Sequence, residues 1–264
     1  MNKNKVKSFF DNIAINPKIK KRMNAGMVPP SAFFEDYREK QEIKNFNKLI
    51  DLNNIKTVLE VACGSGRWSF YLSNKTNYIK AIDISPQMIE IANSISKDMN
   101  ITNIDFEIGE FFDLDFSKKY DLIYFSGLFN YLDDNEIILI LNRIKNISHP
   151  NTIVLTRDTI SKKERIEYDT ESFQSIYRTS NEMINLFNKE EFTHIETMLA
   201  YKMPLYSDYI SKFYKPPIFN IYYILILNLI LILKNKLNIT KNKNLITRGN
   251  NDGFEHVFNK FIIK

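Results

Sequence analysis

The chain has 264 residues and a mass of 31.2 kDa, enough for one large core or for a domain carrying an elaborate cap. With 44% apolar residues, 25% charged residues, 20 Phe and 14 Tyr, it is neither collagenous, mucin-like nor disulfide-rich, and its single cysteine, Cys63, cannot close an internal bridge. The net charge of +5 is uneven, because residues 1–22 carry +6 and residues 204–252 carry +5 while the rest is acidic. Such basic ends suit an anionic acceptor or a lipid surface. They equally suit a chain rich in Lys, Asn and Ile throughout, as AT-rich genomes encode. Lys3, Lys5 and Lys7 are followed by no apolar core, so no signal peptide is expected, and the location expected is cytoplasmic, with membrane association as a variant.

Residues 1–50 read as helical with polar breaks, punctuated by Pro17, Pro29 and Pro30. From Thr57 short apolar runs alternate with longer amphipathic ones. Strands are expected at 57–61, 78–83, 104–108, 120–125, 152–156, 192–201 and 254–263. Helices are expected at 67–74, from Ser85-Pro86 onward, at 135–147 and at 180–189, the last capped by Thr179 or Ser180. The alternation of the first four or five strands with helices predicts an α/β fold with a parallel sheet covered by helices on both faces, in a sheet of about seven strands in all. The stretch between the fifth strand and the 180–189 helix is variable and carries no clear element.

Residues 204–252 lie outside this alternating plan and form an insertion before the last strand. Their centre, 218–233, is sixteen uncharged residues bounded by Lys215 and Lys234, short of the roughly twenty needed to span a bilayer. A helix packed into the fold or across the site's mouth is the first reading. A peripheral membrane contact is the second and a true span the third. The expected organisation is therefore an N-terminal helical lid (1–50), a main domain (51–203 and 253–264) and an apolar, basic cap (204–252).

The segment Val58-Leu59-Glu60-Val61-Ala62-Cys63-Gly64-Ser65-Gly66 runs a buried strand into a turn with two glycines, where backbone can bend sharply and a ligand can approach. The third glycine of a dinucleotide fingerprint would fall at Ser69, which disfavours a pyrophosphate loop. Asp83 ends the second strand, where a carboxylate can accept hydrogen bonds from both hydroxyls of a ribose; a cap or turn role is the alternative. Glu60 lies inside an apolar strand and needs a partner, either a cationic amino group on a ligand or nearby backbone amides.

Together with Ile82-Asp83-Ile84-Ser85-Pro86-Gln87-Met88, Gly109-Glu110-Phe111 and Tyr120-Asp121-Leu122-Ile123-Tyr124-Phe125-Ser126, these segments resemble the class I S-adenosylmethionine-dependent methyltransferase family, small-molecule type, over about residues 55–200. The resemblance implies a Rossmann-like methyltransferase sheet and S-adenosyl-L-methionine as cofactor. It implies cofactor contacts from Glu60, Ala62, Gly64, Gly66, Asp83, Ile84, Met88, Glu110, Phe111 and Phe125. Phe9-Phe10-Asp11-Asn12-Ile13-Ala14 resembles that branch's lid helix, but the tyrosine expected after the alanine is missing and Asn16-Pro17 stands in its region. Tyr37 is the alternative aromatic cover.

Methyl transfer from a sulfonium is a direct displacement, so alignment dominates and a base is needed only for a protonated nucleophile such as an alcohol. The fourth strand ends Phe125-Ser126-Gly127-Leu128, without the motif used by enzymes acting on amino groups of DNA bases. Cys63 sits in the cofactor loop, so no thiol nucleophile serves a pyrimidine carbon. His149, His194 and His256 are scattered, and no cluster has metal-ligand spacing. Candidates for the acceptor side are Tyr131, Asp158 as base or orienter, Tyr177, and Arg178 as a partner for a carboxylate or phosphate; a structural salt bridge or cap is the alternative for Asp158 and Arg178. The function expected is methylation of a hydroxyl, in second place an amine or carboxylate, on a small-molecule, sugar or lipid-linked acceptor. A protein or RNA methyltransferase and a non-catalytic cofactor-binding protein are the alternatives, and the lack of aromatic–basic interleaving disfavours nucleic acid.

Overall fold

Period-two burial sorts each central strand between two apolar layers. In β1 (Thr57–Val61), Leu59 and Val61 join one core cluster and Val58 joins the other; Ile123 and Phe125 oppose Leu122 and Tyr124 in the same way in β4 (Tyr120–Ser126). A sheet buried on both faces needs helices on both, and the chain supplies them. The structure is a computed structural model, described for residues 1–15, 32–116, 118–201 and 253–263, with the side chains of residues 15 and 32–37 left aside. The expected cap 204–252 with its apolar centre 218–233, the three prolines Pro17, Pro29 and Pro30, and the side chain of Tyr37 lie outside this description.

The seven-stranded sheet runs in the order β3-β2-β1-β4-β5-β9-β8. It is built from β1 and β4 with β2 (Tyr78–Asp83), β3 (Ile104–Ile108), β5 (Ser148–Ser161), β8 (Phe192–Leu199) and β9 (Phe254–Ile263). The first five are parallel, and β9 runs antiparallel between β5 and β8. Strand order reverses between β1 and β4, so a crevice opens there at the carboxyl ends of the strands. The strand count and layered architecture agree with the sequence expectation.

Six helices accompany the sheet in the described residues: α1 (Lys3–Ile15), α2 (Ala32–Leu49), α3 (Arg67–Ser73), α4 (Pro86–Asp98), α5 (Asp134–Asn146) and α6 (Ser180–Lys189). Their starts follow local chemistry. Ser85 caps α4 by accepting from the Met88 amide, with Pro86 at the first helical position. Asp133 with Glu136, and Thr179 with Glu182, form full capping boxes on α5 and α6, each contributing about 1 kcal/mol. Among the described residues no helix is long and apolar enough to cross a membrane.

Two differences from the sequence reading matter for the site. The fifth strand, expected at 152–156, extends to Ser161 because β9 pairs with it from Ile153↔Ile262 to Ser161↔Phe254. The variable stretch contains a hairpin, β6 (Ile166–Asp169) paired with β7 (Gln174–Tyr177). β6 is mostly exposed and half charged, so no apolar alternation betrays it.

Candidate functional site

A cavity of about 460 Å³ lies at the carboxyl ends of β1, β2, β4 and β5, within the size range of small-molecule sites. One wall is the β1 turn. Gly64 takes φ +56° and a Cβ there would meet nothing within 4 Å, so open space adjoins the loop. Ala62, also at positive φ (61°), lines the cavity beside Gly64. Gly66 serves differently: at φ +85°, a Cβ on it would come within 2.9 Å of Phe70 and Phe106, so glycine is needed for packing, and Gly66 does not line the cavity.

Asp83 lines the cavity and braces that turn, its Oδ2 accepting from the Gly64 amide at 2.8 Å and its Oδ1 from the Ser85 amide at 2.9 Å. Burial raises its pKa, and the Ser85 and Gly64 amides pull the other way. Ile84, Met88, Glu110 and Phe111 line the cavity too, where the sequence reading put them. Glu60 is fully buried behind the lining. One carboxylate oxygen accepts from Ser69, the other has no hydrogen-bond partner among the described residues, and burial lifts its pKa to about 8. Phe125 is also behind the lining, stacked on Phe129 with ring centroids 4.8 Å apart.

The open side is covered by α1, which contributes Lys3, Val6, Phe9, Phe10 and Ile13. Lys3 pairs with Glu110, Lys5 bonds Asp169 Oδ1 and the Thr170 carbonyl at 2.6 Å each, and Phe9 packs on Phe173 at 4.9 Å. The β6–β7 hairpin absent from the sequence reading thus supports one side of α1, while its other support is α4, where Ser85 Oγ donates to Asp11 Oδ1 at 2.5 Å. Phe10 meets Tyr131 edge to face at 5.3 Å.

On the other wall, Tyr131 lines the cavity as expected, with its phenol pKa pushed up by burial, so that it stays a neutral donor. Three other expected residues lie off the lining. Asp158 points away: alternation along β5 turns Arg157 and Thr159 to the cavity and Asp158 to the opposite face, where its carboxylate is fully buried beside the Thr156 side chain and the Phe129 amide. Burial lifts its pKa to about 6. Arg178 is a staple rather than a substrate clamp. Its guanidinium is wholly buried and donates to Asp134 Oδ1 and to the carbonyls of Phe129 and Leu132, each at 2.7 Å. Tyr177 packs on Phe254 and Tyr168 and stays off the lining.

The structure supplies replacements. β9 sets His256 opposite Thr159, with Nδ1 2.9 Å from Thr159 Oγ1, and both line the cavity. Burial first, then the charges of Arg157 and Arg38, drop the His256 pKa to about 3, so the imidazole is neutral. Asn130 ties the wall together, donating to the Thr159 and Ile176 carbonyls and accepting from the Thr159 amide. Arg38, Arg67, Arg157 and Tyr201 complete it. The signal for these residues was weak in sequence, because they depend on antiparallel pairing and on a helix 115 residues from its partner strand. His149 lies at the far end of β5, bonded to Asp121 at 2.8 Å.

Residues 52–208 match the family model described as "Methyltransferase domain". The chain is 30% identical over 147 residues to an uncharacterized methyltransferase of Staphylococcus carnosus, covering 53% of this chain and 65% of that protein. It is 29% identical over 120 residues to malonyl-(acyl-carrier protein) O-methyltransferase 1 of Ilyobacter polytropus, covering 44% of each. The chain thus spans about two fifths to just under two thirds of the length of these relatives. Among solved structures, phosphoethanolamine N-methyltransferase 1 of Haemonchus contortus, in complex with phosphoethanolamine and S-adenosylhomocysteine, superposes with a TM-score of 0.63 at 18% identity, covering 98% of this chain and 48% of that one.

Proposed function

The chain belongs to the class I S-adenosylmethionine-dependent methyltransferases, and from that premise we propose that it methylates a hydroxyl, in second place an amine or carboxylate, of a small-molecule, sugar or lipid-linked acceptor. The observation that carries this reading is the continuity of the cavity. Gly64, Asp83, Ile84, Met88, Glu110 and Phe111 share one space with Tyr131, Thr159 and His256, so donor and acceptor groups face each other without an intervening wall.

The residues fit the cofactor. Open space adjoins Gly64, Asp83 offers a carboxylate for ribose hydroxyls, and Glu60 keeps one buried oxygen without a hydrogen-bond partner among the described residues. In this reading Ile84 and Met88 flank the adenine, Glu110 and Phe111 recognise its edge, and α1 is the lid. Glu60, Gly66 and Phe125 act from behind the lining by shaping the loop and strand end. When bound, the cofactor supplies an electrophilic methyl group.

The protein's own contribution is alignment and exclusion of water. Phe9, Phe10 and Ile13 present an apolar cover, and the Tyr131 phenol is a donor that orients the acceptor. For a hydroxyl nucleophile a proton must leave. We assign that proton to His256, in the tautomer whose Nδ1–H donates to Thr159 Oγ1 and leaves Nε2 to accept; with a pKa of about 3 the imidazole is a weak base until a bound acceptor offsets the Arg157 and Arg38 charges. Asp158, on the opposite face, has no part in the transfer.

The expected cap, 204–252, attaches beside this acceptor wall. Tyr201 and His256 both line the cavity, and the Ala200 amide bonds the His256 carbonyl at 2.8 Å. We assign the segment to acceptor binding on that ground.

The test is calorimetric titration of the chain with S-adenosylmethionine and S-adenosylhomocysteine, followed by assay of S-adenosylhomocysteine release on hydroxyl, amine and carboxylate acceptors. Saturable binding and turnover on a hydroxyl acceptor are expected. No binding would refute the cofactor assignment, and binding with turnover only on RNA or protein would refute the acceptor class.

A further inference from the structure

Glu42, wholly buried on α2, is the only carboxylate in contact with a cluster of guanidiniums on the cavity wall among the described residues. Its Oε2 accepts from Arg67 Nη2 at 2.5 Å, and its Oε1 accepts from Arg157 Nε at 3.1 Å and Nη2 at 2.6 Å. Arg38, one turn earlier on α2, is the third cation. Its Nε is buried and has no hydrogen-bond partner among the described residues. All three arginines line the cavity. Among the described residues, three cations therefore surround one anion at the boundary of a space built to take a ligand.

An unbalanced charge in a partly desolvated wall is expensive unless a ligand supplies the counter-charge. The cofactor cannot do so by itself. Its one carboxylate can occupy one guanidinium, but its ammonium and sulfonium bring two further positive charges into the same cavity. Loading the methyl donor thus leaves the wall short of negative charge. The other ionised groups on the lining do not help: Glu110 is paired with Lys3, and Asp83 is held by the Gly64 and Ser85 amides at the opposite side of the loop.

We propose that the acceptor is an anion, carrying a carboxylate or a phosphate that docks against the Arg38–Arg157 face of this cluster, with its nucleophilic atom directed toward the Thr159–His256 pair. Both groups present oxygen pairs that match a guanidinium fork. Arg157 is already fixed by Glu42 and stacked over Tyr201, 5.8 Å from its ring centroid, and so offers a pre-oriented edge, while Arg38 brings the unpaired donor. A bound anion would also offset the Arg157 and Arg38 charges that, after burial, hold the His256 imidazole neutral, and so would strengthen it as a base where the proton departs. This assignment rests on the methyltransferase reading of the cavity and adds the chemical class of its second substrate.

The experiment is calorimetric titration of the full chain, saturated with S-adenosylhomocysteine, with inorganic phosphate, with succinate and with neutral succinamide. At least one anion is expected to bind, phosphate pointing to a phosphate ester and succinate to a carboxylate, while succinamide does not bind. Arg38→Gln should weaken the anion roughly ten-fold or more. It should leave S-adenosylhomocysteine affinity within a few-fold and the melting temperature little changed, since relief of burial and of repulsion from Arg157 and Arg67 is set against the lost attraction to Glu42. No anion binding to the saturated protein, or anion binding that Arg38→Gln leaves unchanged, overturns the proposal. So does loss of S-adenosylhomocysteine affinity in Arg38→Gln, which would give that arginine to the cofactor. Failure of the wild-type chain to bind S-adenosylhomocysteine would count against the methyltransferase reading, and the same titration of the cofactor-free chain would then read the arginine wall by itself.

Discussion

Glu42 Oε1 receives both Nε and Nη2 of Arg157, at 3.1 and 2.6 Å, and this pair ties α2 to the end of β5 across 115 residues of sequence. The carboxylate is fully buried, and although burial alone would raise its pKa, the Arg157, Arg67 and Arg38 charges hold it down at about 2. A depressed carboxylate stabilises the fold above its unfolded value of 4.5, and the contribution is lost as pH falls through about 2. The shift corresponds to about 3 kcal/mol.

Glu42→Gln should accordingly lower unfolding free energy by about 3–5 kcal/mol at pH 7, because three guanidiniums lose their counter-charge. Urea denaturation at pH 7 and pH 2.5 is the measurement. The gap between wild type and variant should be wide at pH 7 and markedly narrower at pH 2.5. A loss below about 1 kcal/mol at pH 7, the scale of an exposed pair, would mean that Glu42 does not organise the wall.

Asp158 titrates in the opposite sense. Its folded pKa of about 6 stands above the unfolded 3.8, so the folded state carries no penalty below pH 3.8 and loses stability as pH rises through 6. Asp158→Asn should gain on the order of 2–3 kcal/mol at pH 8 and nothing near pH 3.5. Turnover should survive, because the side chain faces away from the cavity. Loss of turnover in a stabilised variant would return Asp158 to the catalytic machinery.

The contrast between these carboxylates reflects what a sequence can carry. The β1 turn, Asp83 and the Ser85-Pro86 start of α4 were legible because each rests on neighbours within a few residues: an apolar strand, a glycine turn, a cap. The direction of Asp158 depended on which side of β5 faces the crevice. That was fixed only when β9 lengthened the strand and set Arg157 and Thr159 on the cavity face. Arg178 sat beside a helix start in sequence, where an exposed or ligand-facing role is natural, yet the fold closes Asp134 and two carbonyls around it. Arg38 and Glu42 carried no local mark at all, since their meaning comes from partners on α3 and β5.

His256 belongs to the same class of residue, 97 positions from Thr159 and adjacent to it in the sheet. His256→Gln should reduce kcat by roughly 100-fold on a hydroxyl acceptor, the scale of general base catalysis. S-adenosylhomocysteine affinity should stay within a few-fold of wild type. On an acceptor whose nucleophile arrives unprotonated, the loss should be much smaller. An equal loss on both acceptor types would make His256 a packing residue of the wall.

The last prediction concerns the segment between β8 and β9. These strands are antiparallel neighbours, with Leu199 opposite Val257 and the Ala200 amide bonded to the His256 carbonyl, so their ends are already as close as those of a hairpin. A short Asn-Gly turn can therefore replace residues 204–252 without stretching the sheet. The shortened chain should keep a cooperative thermal transition and bind S-adenosylhomocysteine within a few-fold of wild type, since Gly64, Asp83 and Glu110 are untouched. Turnover should be lost if the segment serves the acceptor, as its attachment beside Tyr201 and His256 suggests. Loss of the cooperative transition would instead make the segment part of the core, and full turnover would remove it from the reaction altogether.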